Sequence, residues 1–95
     1  MKRYQLTVNV PPISATGILS GDSDAQIAKQ FKDEVARRAG LMKGGVIRMM
    51  SDEKFWQEVV TAHNRKFAAS EPLPRCARDL IEFGLRAGYL EAVSG

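Results

Sequence analysis

The sequence predicts an α+β fold: a small N-terminal β-strand or hairpin packed with three amphipathic helices in a single domain. Three observations carry this expectation. Polar and apolar residues alternate over residues 3–10 with a period of two, the pattern of a half-buried strand. Three later segments place apolar residues at helical spacing behind recognisable caps. A chain of 95 residues, 44% of them apolar, supplies one core and no second one.

The elements follow in chain order. Tyr4, Leu6, Val8 and Val10 alternate with Arg3, Gln5, Thr7 and Asn9, and Pro11-Pro12 ends the strand because neither proline can donate to a ladder. Residues 13–20, closed by Gly21, read as the second arm of a hairpin over 3–20, although the sequence leaves a loop over 11–21 open. Ser23 and Gln26 fit a capping box, with Asp22 and Asp24 at the positive helix start. This predicts a helix over 24–39 with Ile27, Ala28, Phe31, Val35 and Ala39 on one face and Gly40 as its stop. Lys29, Asp33 and Arg37 on the opposite face are spaced for pairing.

Gly44-Gly45 reads as a turn, and the Val46–Met50 run after it reads as a short strand over 46–50. Ser51, followed by Asp52 and Glu53, caps a helix over 52–69 that buries Phe55, Trp56, Val59, Val60 and Phe67. Pro72-Leu73-Pro74 interrupts the chain, and Pro74 suits the first position of a helix over 75–88. That helix is expected to bury Cys76, Ala77, Leu80, Ile81, Phe83 and Leu85. Gly84 would permit close approach of another element, and Gly88 would cap the end so that Tyr89 and Leu90 fold back.

Composition narrows the function. One His and one Cys supply neither a metal-ligand set nor a nucleophile with its base, and no Gly-rich phosphate loop or paired-carboxylate motif takes their place. The expectation is a non-catalytic protein with no metal and no cofactor. His63 reads first as a core histidine and only second as a pH-sensitive imidazole. Cys76 reads as a small buried hydrophobe, although a nearby helix start would lower its pKa. A lone cysteine excludes an internal disulfide. No apolar run reaches signal-peptide or membrane-spanning length, so the expected location is cytoplasmic and no membrane partner is expected.

Two surfaces remain as binding candidates. The net charge of +3 comes from the first half of the chain. Between Arg37 and Arg48 lie Arg37, Arg38, Lys43 and Arg48 with no acid, and Lys2 and Arg3 add two cations at the N-terminus. Glycines that turn backbone N–H groups outward, together with these cations, suit an anion or a nucleic acid. The simpler reading assigns Arg37 and Arg38 to the negative end of a helix. The second surface is apolar: Met42, Val46, Ile47, Met49 and Met50 cluster around Gly44-Gly45 and would make an adaptable contact for a protein partner.

The polar strand face Arg3, Gln5, Thr7 and Asn9 resembles, over the first ten residues, the ribbon of ribbon–helix–helix regulators, which implies a dimer reading base edges in a major groove. It departs from that pattern because Pro11-Pro12 and the 13–21 segment separate strand from helix. A helix-turn-helix reading is disfavoured, because Asp79 and Glu82 neutralise Arg75, Arg78 and Arg86 on the last helix.

The leading expectation is therefore a small cytoplasmic regulatory or inhibitory adaptor, of a size compatible with a phage or mobile element, acting through contact with an unidentified protein. A DNA-binding regulator using residues 37–48 is the alternative, and a homodimer is compatible with either.

Overall fold

The computed structural model describes residues 1–93; residues 94 and 95 of the expected 1–95 domain lie outside the described residues. β1 (Lys2–Val10) and β2 (Ile13–Gly21) form an antiparallel hairpin, with Val10 opposite Ile13 and Lys2 opposite Gly21. The alternation in β1 sends Leu6, Val8 and Val10 to one side of the sheet and Thr7 and Asn9 to the other. Four helices follow: α1 (Asp24–Arg38), α2 (Gly40–Met49), α3 (Asp52–Phe67) and α4 (Ala77–Ala87). The chain then returns as β3 (Leu90–Ala92), antiparallel to β1, for a sheet order of β2-β1-β3. The result is a small α+β globule with one core between the inner sheet face and the helices.

The caps act where the sequence places them. Ser23 Oγ accepts from Gln26 N–H at 3.2 Å, and Ser51 Oγ accepts from Lys54 N–H at 3.2 Å. Gln26 reaches back to the Asp22 N–H at 2.6 Å, closing the entry to α1. Gly88 ends α4 in the left-handed conformation, with φ 83°. Tyr89 N–H then donates to the Gly84 carbonyl, and Tyr89 O accepts from Thr7 N–H, each at 2.9 Å. A Cβ on Gly84 would come within 2.9 Å of the Leu90 side chain, so that glycine permits the fold-back that makes β3.

The exposed edge of β2 is closed by side chains from α1. The Gln30 amide accepts from Ser20 N–H at 3.0 Å and donates to the Ser20 carbonyl, standing in for a neighbouring strand. Arg38 donates to Thr16 Oγ1 at 2.7 Å and to the Thr16 carbonyl at 3.3 Å. An edge occupied in this way cannot readily pair with another chain.

Several expectations are corrected. Residues 46–50 are not a strand, and Gly44-Gly45 is not a turn: residues 44–49 lie in α2 and Met50 is its C-cap. The cause is tertiary. Gly44 faces the Ala36 carbonyl of α1 so closely that a Cβ would stand under 3.0 Å from it, and this contact holds a helix of weak propensity in place. The last helix starts at Ala77 because the Asp79 carboxylate accepts from Arg75 N–H at 3.1 Å, fixing the turn ahead of it. Pro74 is therefore buried before the helix, and Cys76 is its exposed N-cap residue rather than a core residue. The face of α4 that meets the core centres on Leu80 and Gly84, which leaves Leu85 exposed.

Phe67 at the last turn of α3 is also exposed; α3 stops there because Ala68 turns left-handed, with φ 51°. Two expected pairings are redistributed. Arg37 bonds Glu34 instead of Asp33, and Arg86 reaches Glu71 at 2.8 Å instead of Glu82.

One residue without a signal in the periodicity joins three elements. Lys32 of α1 is 7% exposed. Its ammonium donates to the Met50 carbonyl at the end of α2 and to Asp52 Oδ1, at 3.0 Å, at the start of α3. Replacing it by Met keeps the aliphatic stem and removes both bonds. The expected loss is about 1–3 kcal/mol, seen as a lower urea midpoint; an unchanged midpoint would show that the α2–α3 junction is held by apolar contact alone.

Candidate functional site

The candidate site is α2 and the cleft beside it. Ala39 ends α1, and Gly40, left-handed with φ 88°, redirects the chain into α2 without a further loop. Because Gly44 faces α1, the opposite side of α2 faces outward. On that side stand Met42, Val46 and Met49, at i, i+4 and i+7, exposed by 86%, 63% and 90%. The other two apolar residues predicted for this surface, Ile47 and Met50, are half-buried and rest on the core. The five expected contact residues thus divide into an outward stripe and an inward anchor.

Beside the stripe is a cleft of about 250 Å³. Pro12 and Ile13 of the hairpin turn, Phe55 of α3, and Val46, Ile47 and Met50 make its apolar wall. Lys43 and Glu58 stand at its lining as the charged members, and Glu58 also lies 3.5 Å from Lys54. The cleft is smaller than the ~300–1,000 Å³ usual for small-molecule sites, and its size suits one or two side chains.

The six cations predicted as an anion patch do not form one surface. Lys2 pairs with Asp24 at 2.7 Å, and this bond raises the Lys2 pKa. Arg37 pairs with Glu34, and Arg38 is tied to Thr16. Lys2 and Arg3 lie at the Gly21 end of the hairpin, whereas Lys43 shares the cleft with Pro12 and Ile13 at the turn end. At about 3.3 Å per residue along β1, those two ends are separated by more than ~20 Å. Among the described residues, only Arg3, Lys43 and Arg48 of the six lack a hydrogen-bonded or ion-paired partner. Lys43 stands beside Val46 at the cleft, whereas Arg48, four residues after Gly44, lies on the α1 side of α2, its Nη1 3.5 Å from where a Cβ on Gly44 would stand.

His63 lies elsewhere, in an aromatic cluster at the α3–α4 contact. Its Nδ1 is 2.6 Å from the Tyr89 hydroxyl, and its ring meets Phe83 edge-on at 5.0 Å and Phe67 at 5.1 Å. Burial raises the Tyr89 pKa, and which of the two groups donates in this bond follows from the imidazole tautomer. This arrangement links the α4–β3 turn to α3. Among the described residues no three His, Cys, Asp or Glu side chains are grouped to hold a metal ion, and no helix is long and apolar enough to cross a membrane.

A second, larger depression of about 700 Å³ lies between α3, residues 72–75 and α4. Its charges are largely satisfied internally: Arg78 bonds Glu82 at 3.1 Å, and Arg86 bonds Glu71. Sequence reasoning also missed Asn64, whose amide accepts from Glu71 N–H and donates to the Glu71 carbonyl, both at 3.0 Å. An Asn before a Pro-bounded segment was the available signal for such a clasp.

No protein-family model matches the chain, and no curated protein or solved structure matches it.

Proposed function

We propose that this chain is a small, non-catalytic cytoplasmic binding protein that acts stoichiometrically by presenting α2 to a protein partner. The observation that carries the reading is the exposed stripe of Met42, Val46 and Met49. Three large apolar side chains on one outward helix face keep water against apolar surface. Covering that surface contributes about 25 cal/mol for each Å² removed from water. Methionine adapts its shape to whatever covers it, which suits a contact surface better than a rigid catalytic one.

The test is a photo-crosslinking residue placed at position 46, with position 18 as control, because Ile18 is also exposed but lies on the outer sheet face. Irradiation in the source cells is expected to give one discrete heteromeric adduct from position 46 and none from position 18. No adduct, or the same adducts from both positions, would refute the reading.

A second reading rests on Lys43 and Arg48, which lack a carboxylate partner among the described residues. It makes α2 a contact for nucleic acid phosphates. It requires duplex DNA binding that weakens with salt, and a salt slope reduced by about two when both residues become Ala. On the leading proposal, fluorescence anisotropy of a labelled duplex stays flat at low and at physiological salt.

A further inference from the structure

We infer that the cleft between α2, α3 and the hairpin turn binds a free apolar amino acid. Its side chain would lie among Ile47, Met50 and Phe55, with its carboxylate held by Lys43 and its ammonium by Glu58. The inference concerns the inner wall of α2 rather than its outward stripe, and it stands whether or not α2 docks a protein.

Helical spacing builds the cleft. Lys43 and Ile47 of α2 and Met50 at its C-cap, at i, i+4 and i+7, share one face. Phe55 and Glu58, at i and i+3, share a face of α3. Ser51 alone separates Met50 from the start of α3, so the two faces diverge from a closed end at Met50 and Phe55. Pro12 and Ile13 of the hairpin turn form the third side. Burial follows the same gradient: Phe55 and Ile13 are buried, Ile47 and Met50 half-buried, and Lys43 and Glu58 exposed at the rim.

Charge and volume define the ligand. Lys43 has no carboxylate partner among the described residues, and no ion pair joins it to Glu58. Glu58 meets Lys54 at 3.5 Å, an exposed pair on its own helix that a ligand ammonium can replace at little cost. A cation alone above an apolar cleft would select an anion, and a carboxylate alone would select a cation. One of each, on different walls, is complementary to a molecule that carries both charges on one carbon. The volume of about 250 Å³ equals roughly eight waters at ~30 Å³ each, the bulk of a free leucine or phenylalanine. A polar side chain would lose its hydration against the apolar wall without gaining a partner there.

The experiment titrates L-leucine into the isotope-labelled chain at neutral pH and constant ionic strength. Saturable shifts are expected at the amides of Ile13, Phe55, Glu58 and residues 43–50, with a dissociation constant of about 1 mM. Isoamylamine, which lacks the carboxylate, and 4-methylpentanoate, which lacks the ammonium, are each expected to bind about fivefold more weakly. L-alanine is expected to give no saturable shift. Lys43→Gln is expected to lower the affinity for L-leucine to that for isoamylamine and to leave isoamylamine unaffected. Glu58→Gln is expected to do the same relative to 4-methylpentanoate. Both positions are exposed, so a preserved amide spectrum confirms that each variant folds.

Equal binding of L-leucine and its two singly charged analogues overturns the proposal, because the cleft would then recognise apolar surface alone. So does equal binding of L-leucine and L-alanine. Saturable shifts confined to another part of the chain, or none with L-leucine up to ~20 mM, overturn it as well.

Discussion

Phe31→Ala is expected to remove about 3–5 kcal/mol of stability and to lower the melting temperature by more than ~10 °C. Phe31 is 1% exposed, and its ring meets that of Phe55, also 1% exposed, edge to face at 5.8 Å. It joins α1 to α3 over the inner sheet face, so truncation removes burial and an aromatic pair and leaves a cavity. With roughly 5–15 kcal/mol available to a domain of this kind, one substitution takes a large share of the total. Phe31→Leu retains most of the volume and is expected to cost less than about 1.5 kcal/mol. Ile18→Ala, at a position 53% exposed, is expected to change stability by less than about 0.5 kcal/mol. Chemical denaturation of the three variants checks the order, and a Phe31→Ala midpoint close to that of Ile18→Ala would contradict the core described above.

The second large effect separates two adjacent glycines of α2. Gly44→Ala places a methyl group under 3.0 Å from the Ala36 carbonyl oxygen, a backbone atom that cannot swing aside. α2 must then lift from α1, at an expected cost of about 1–3 kcal/mol or more, with amide exchange over residues 40–50 accelerated. Gly45→Ala meets nothing within 4 Å. There the usual preference of a helix for Ala over Gly is expected to stabilise by about 0.5–1 kcal/mol. If both substitutions stabilised the protein, α2 would not be seated on α1 and the outward direction of Met42, Val46 and Met49 would lose its basis.

β1 was legible because a half-buried antiparallel strand writes its two faces into the sequence directly: Leu6, Val8 and Val10 inward, Thr7 and Asn9 outward; the sequence left β2 open between strand and loop, and its pairing with β1 decided it. The starts of α1 and α3 were legible because Ser23 and Ser51 satisfy orphan N–H groups from within a few residues. Gly84 and Gly88 announced the fold-back, and β3 is its product. Cys76 and Leu85 were misplaced because helical spacing fixes which residues share a face but not the residue at which the helix begins. Asp79 moved that start to Ala77 by bonding the Arg75 N–H.

The residues of the candidate site were legible as a set, but their grouping was not. Read as a strand, 46–50 would put Val46, Arg48 and Met50 on one face and Ile47 and Met49 on the other. As a helix, the same segment joins Val46 and Met49 to Met42 and turns Ile47 and Met50 toward the core. Local chemistry favoured the strand, since Gly-Gly is a turn signal and Val and Ile are β-branched. The contact of Gly44 with Ala36, ten or fewer residues away in sequence but on another helix, outweighed it.

By itself the sequence determined the α+β class, the first strand, the caps of α1 and α3, the end of α4 and the presence of an apolar, basic segment at 37–50. Each of these depends on the order of side chains within a turn or a strand. Tertiary structure alone decided that this segment is a helix, which of its apolar residues face outward, and which cations remain unpaired. Lys2 is taken by Asp24, Arg37 by Glu34 and Arg38 by Thr16. The physical reason is range: caps and periodicity act over a few residues, whereas a glycine's close approach and a cation's partner depend on elements that meet only after the chain has folded.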